Sequence, residues 1–97
     1  MDLMAQHPTT WARNARFKLL FLLGGCCAEC STTKELEFDC ITPQGHFHHA
    51  IGMVHRMVFY RRQHAEGNLQ ILCSRCNREK AKLDLVYLRQ KLETEPF

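Results

Sequence analysis

The spacing of apolar positions changes period several times along the chain, and each change marks an element. Trp11, Ala15, Leu19 and Leu22 recur at helical spacing, so a helix is expected from Trp11 to Leu23, capped by Thr9 or Thr10 and stopped at Gly24-Gly25. From Leu36 to Ile41 the pattern alternates, with Leu36, Phe38 and Cys40 on one side and Glu37, Asp39 and Ile41 on the other, as in a strand. Asn68 to Leu72 reads as its partner. Between them Thr42-Pro43-Gln44-Gly45 is a turn, His46 to Ile51 a loop, and Met53 to Ala65 a helix that Gly67 ends. Met53, Met57 and Tyr60 share a face of that helix and are expected in the core. A last helix from Asn77 to Glu93 is expected to turn Ala81, Leu85, Leu88 and Leu92 inward, and Pro96 forbids its continuation.

Ninety-seven residues allow one α+β domain, divided into an N-terminal helix over 1–24, a core over 25–82 with a helical insertion at 50–66, and a C-terminal helical extension over 83–97. A chain this short buries a modest fraction of its surface, so a covalent or metal staple is expected. The cysteines supply one. Cys27-Ala28-Glu29-Cys30 and Cys73-Ser74-Arg75-Cys76 are two CxxC pairs with 42 residues between them. Each pair can chelate one ion from a tight turn, and together they offer the four soft ligands of a closed structural zinc site. Cys26 and Cys30 would form CxxxC, but Cys27 repeats the spacing of the second pair.

A disulfide framework is the alternative for six cysteines in a short chain. Against it, Met1 to Gln6 has Asp2 and no basic residue, and the apolar run Leu19 to Leu23 is far too short to span a membrane. A reducing, intracellular, cytoplasmic setting without membrane association is expected. The formal net charge is +3, and four thiolates with one zinc would bring it to about +1. Its distribution says more, because nine of the 13 Lys and Arg residues fall between Arg56 and Lys91. A basic face of that kind suits a phosphate backbone, as it also suits plain solvated surface.

The strings Leu36-Glu37-Phe38-Asp39-Cys40-Ile41-Thr42-Pro43 and Gly67-Asn68-Leu69-Gln70-Ile71-Leu72-Cys73-Ser74-Arg75-Cys76-Asn77-Arg78-Glu79-Lys80 resemble the HNH endonucleases. The resemblance runs from about Gly25 to Lys82. It implies a ββα-metal finger whose structural zinc joins the two knuckles, with N-terminal, insertion and C-terminal helices around it. It also implies a magnesium or manganese ion held by Asp39 and Asn77, with Asn68 pinning the loop and orienting the base. One carboxylate, one amide oxygen and water make a hard-oxygen site of the kind those ions prefer. Such small zinc-stapled members are common in phage and prophage, so packaging proteins are expected partners by analogy alone.

The chain departs from the family at position 40, where Cys40 replaces the histidine that serves as general base. An imidazole accepts a proton near neutral pH, whereas an ordinary thiol remains mostly protonated. The nearby Gly45-His46-Phe47-His48-His49 loop offers substitutes, with His48 and His49 ahead of His46; a solvated loop is the plainer reading. His7, His55 and His64 have no motif around them and read as surface residues. The leading expectation is a metal-dependent DNA endonuclease or nickase with Arg75, Arg78 and Lys80 on phosphate. The alternative is a non-catalytic zinc module that binds DNA or a protein. A redox switch on Cys26 and Cys40 is a weaker third reading.

Overall fold

A computed structural model describes residues 7–45 and 51–94. The elements follow in the order α1 (Pro8–Leu22), β1 (Leu36–Cys40), α2 (Met53–Ala65), β2 (Leu69–Cys73) and α3 (Ser74–Thr94). The two strands pair antiparallel, with Leu36 opposite Cys73, Phe38 opposite Ile71 and Asp39 opposite Gln70. This is a small α+β fold of the ββα-metal type, with three helices around the two-stranded sheet.

β2 is where the layers meet. Side chains alternate across a strand, and this one is buried on both faces. Leu69 and Ile71 join Ala12 and Leu19 of α1, Phe38 of β1, and Met57 and Tyr60 of α2 in the larger core. Leu72 points the other way and packs with Cys27 and Cys73 under the first turn of α3. Ile71 and Leu72 each retain only 1% exposure, so neither layer can be peeled off without wetting β2. The Phe38 and Tyr60 rings lie 5.0 Å apart in a tilted arrangement that ties β1 to α2.

Several local features differ from the sequence expectation. α1 begins at Pro8, and its cap is His7, whose Nδ1 accepts the Thr9 amide at 3.2 Å. Proline fits the first helical turn because its fixed φ is helical and its missing N–H had no partner to lose there. α3 begins at Ser74, three residues earlier than expected, because the second knuckle is itself the first helical turn. Cysteines three apart then present both sulfurs on one side. Met53 is 56% exposed and lies outside the core that Met57 and Tyr60 enter. No described residue of α3 is fully buried; Ala81, Leu85 and Leu92 are exposed and Leu88 is half-buried, so of the expected inward stripe only Leu88 is partly covered by the described residues. Among the described residues, α3 bonds β1 through Ser74, Asn77 and Lys80 in its first turns, and farther along Leu88 lines a cleft shared with Pro43 and Gly45.

Among the described residues no helix is long and apolar enough to cross a membrane. The two-faced burial of β2 has a measurable consequence. Ile71→Ala should destabilise the protein by about 2–5 kcal/mol, while Leu83→Ala, at 73% exposure, should change stability by less than about 0.5 kcal/mol in urea unfolding.

Candidate functional site

The first knuckle is built by backbone geometry. Ser31 N–H donates to Cys27 O at 2.9 Å and Cys27 N–H to Thr32 O at 2.8 Å, with Ser31 in the left-handed region (φ 65°) to close the turn. Ala28 N–H donates to Ile71 O at 2.8 Å, which fastens this knuckle to β2. The second knuckle follows β2 without a linker, and the Cys76 amide donates to Cys73 Sγ at 3.4 Å. The sulfurs of Cys27, Cys30, Cys73 and Cys76 consequently all lie within 4.8 Å of one another. Four thiolates around one zinc at about 2.3 Å would sit about 3.8 Å apart, and Cys30 Sγ and Cys73 Sγ are 3.7 Å apart. The donor set and its size fit zinc.

The charge state of the cluster points the same way. Burial pushes the Cys27 thiol up, but amide hydrogen bonds from Cys30, Cys73 and Glu29 outweigh it and bring the value down to about 6. Cys76 is pushed up to about 12, first by its sulfur contact with Cys73 and then by burial. One thiolate forms readily while Cys30 and Cys76 are pushed up and resist joining it, so a cation is what lets the cluster ionise as a whole. Cys26 is half-buried and lies outside the cluster.

Asp39, Asn68 and Asn77 are each held by polar partners. Asp39 Oδ2 accepts Gln70 Nε2 at 2.9 Å from directly across the ladder and Lys80 Nζ at 3.2 Å from α3. Burial raises its carboxyl above the ordinary value, with the Gln70 and Lys80 contacts opposing that shift. Asn77 donates Nδ2 to Glu37 Oε1 at 2.7 Å, and Ser74 Oγ donates to Glu37 Oε2 at 2.8 Å. An amide has one acceptor oxygen, so the Glu37 bond to nitrogen leaves Oδ1 as the atom Asn77 can offer a cation. Asn68 grips the chain after β1 at both ends of one residue: Thr42 N–H donates to Oδ1 at 2.7 Å and Nδ2 donates to Thr42 O at 3.0 Å. The same Nδ2 reaches Gln63 Oε1 at 2.7 Å, and Gln63 is the buried polar residue of α2.

Cys40 and Asn77 line one cleft of about 190 Å³ with Pro43, Gly45, Arg78 and Asp84. Lys80 donates to the Cys40 carbonyl at 3.0 Å and also pairs with Asp84, which joins Asp39 to the wall of that cleft. The Cys40 thiol is buried, and burial followed by the Asp39 charge pushes it up to about 11, so it is protonated at neutral pH. His46, His48 and His49 lie outside the described residues. Of the cations expected on phosphate, Arg75 and Arg78 are exposed, whereas Lys80 is occupied by two carboxylates and a carbonyl. Arg16 is also engaged, over the Phe38 ring at 5.4 Å and on the Leu36 carbonyl.

Glu37, Gln63, Gln70 and Asp84 carry the polar framework of the site and were not singled out from the sequence. Glu37 could have been, since it shares a strand face with Asp39, and Gln70 follows from the register opposite Asp39. Gln63 and Asp84 are ordinary helix residues in the sequence, and only the packing of α2 and α3 reveals them.

A family model described as HNH endonuclease matches residues 27–83. The chain matches no curated protein and no solved structure.

Two outcomes test the site itself. Chelation of zinc, or Cys27→Ser, should unfold the protein in far-ultraviolet circular dichroism, and elemental analysis of the native protein should return one zinc per chain. Cys40 ionises near 9.0 in the unfolded chain and near 11 in the fold, so the unfolded state loses its proton first. The stabilisation is complete below about pH 9 and lost as pH rises toward 11. The unfolding midpoint of the wild type should fall more steeply over that interval than that of Cys40→Ala.

Proposed function

Because the chain belongs to the HNH endonuclease family, we propose that it hydrolyses DNA phosphodiester bonds as an endonuclease or nickase. The observation that carries this reading is the cleft at the junction of β1 and α3, which gathers position 40, Asn77 and the exposed Arg78 beside the Asp39 network. In this reading Cys27, Cys30, Cys73 and Cys76 hold a structural zinc, and Asp39 with the Asn77 oxygen holds a magnesium or manganese ion. Bound there, the ion would supply charge stabilisation for the pentacovalent phosphate and the leaving oxygen.

The remaining roles belong to the chain. Gln70 fixes the Asp39 carboxylate from across the ladder, and Glu37 orients the Asn77 amide. Asn68 holds Thr42, and with it the start of the segment that leads to His48 and His49. One of those imidazoles takes the proton of the attacking water, because the Cys40 thiol does not ionise at neutral pH. Arg75 and Arg78 bind backbone phosphates without reading bases.

The buried, protonated Cys40 also favours a second reading, a zinc module that binds DNA without cutting it. A plasmid-nicking assay with magnesium or manganese separates the two. Asp39→Ala and Asn77→Ala should each reduce nicking by at least about a hundredfold while keeping zinc content and the circular dichroism spectrum; Lys80 still has Asp84 as a partner in the first. Wild-type nicking by either variant would remove the assignment of the divalent ion. A wild type that binds DNA and never nicks it, combined with gain of nicking in Cys40→His, would establish the second reading.

A further inference from the structure

The Asp39 carboxylate already has a cation. Lys80 Nζ lies 3.2 Å from Asp39 Oδ2, bonds Asp84 Oδ2, and donates to the Cys40 carbonyl at 3.0 Å, so its three protons have three acceptors. The side chains are 20% exposed at Lys80, 10% at Asp39 and 23% at Asp84, where water screens charge far less than at an open surface. Gln70 donates to the same Asp39 oxygen at 2.9 Å. A divalent ion arriving at Asp39 would therefore meet a positive charge at contact distance from its own ligand.

We propose that Lys80 is a tethered counter-cation that competes with the divalent ion for Asp39, and that Asp84 holds the displaced ammonium while the ion is bound. This rests on Asp39 as a ligand of the divalent ion. Lys80 and Asp84 are four residues apart on α3, the spacing at which helical side chains meet. Nζ can leave Asp39 by a small rotation of the lysine side chain and still keep Asp84 and the Cys40 carbonyl. The number of protein charges around the site is then unchanged by metal loading, and only the partner of the ammonium changes. Lys80 is a positioning residue in this scheme, and Asp84 sets how easily it yields.

The test is manganese binding by zinc-loaded protein, read from the electron paramagnetic resonance signal of free Mn2+ without DNA. Lys80→Met should tighten binding by about tenfold or more, since it removes the competitor and a nearby positive charge. Asp84→Asn should weaken binding several-fold in the wild-type background, where Lys80 is left with Asp39 as its carboxylate partner. In the Lys80→Met background Asp84→Asn should have little effect, because Asp84 then has no lysine to hold. Unchanged or weaker binding in Lys80→Met would overturn the proposal. So would an equal effect of Asp84→Asn in both backgrounds, which would mean that Asp84 acts on the ion through its charge alone. Asp39→Asn should abolish the binding in every background. If it binds as the wild type does, the assignment of Asp39 fails and the competition fails with it, whereas loss in Asp39→Asn without tightening in Lys80→Met defeats the competition only.

Discussion

The rest of the structure depends on β2 being buried on both faces. A five-residue strand in a two-stranded sheet cannot be stable alone in water, and here each face is covered by a different means. α1 and α2 cover the side of Leu69 and Ile71 with ordinary apolar packing. Among the described residues Leu72 has Leu36, the knuckle cysteines and the start of α3 around it, a layer too thin to persist by hydrophobic contact alone. The four-sulfur cluster closes that side, and the Ala28 bond to Ile71 makes knuckle and strand one unit.

The chemistry-bearing side chains are placed by polar clamps that bridge elements distant in sequence. Glu37 binds the first turn of α3 through Ser74 and Asn77, which also sets a negative charge beside a helix N-terminus. Asn68 joins the end of α2 to Thr42, two residues past β1. Gln70 joins β2 to Asp39. The Glu37 and Gln70 clamps end on strands and a helix of the scaffold, so the orientation of Asp39 and Asn77 is inherited from the packing of the sheet.

What could be read from the sequence is what periodicity and spacing encode. Both strands and the extent of α2 follow from alternation and helical repeat, and the four knuckle cysteines from their doubled spacing. The stripe of Ala81, Leu85, Leu88 and Leu92 reads as a core face, yet amphipathic spacing says only that a helix has an apolar side, and among the described residues Leu88 alone of the four is partly covered. The partners of Lys80 were not legible, because charge in a sequence carries no partner. Its two carboxylates lie at Asp39 and Asp84, and the first is brought near only when α3 docks on β1. The capping histidine was hidden for a related reason: His7 caps through Nδ1, a role more often filled by hydroxyl side chains such as those of Thr9 and Thr10 that follow it.

α3 is 21 residues long and so about 31 Å from end to end, and among the described residues the side-chain bonds that tie it to the strands all start in its first third, at Ser74, Asn77 and Lys80. A rod anchored at one end amplifies angle into distance. A tilt of about five degrees at the knuckle would carry the far turn through nearly ~3 Å over that length. The sulfur cluster is accordingly a fulcrum as well as a staple, and the direction in which the last turns of the helix point is set at the opposite end, by the four atoms that grip Cys73 and Cys76 to the first knuckle.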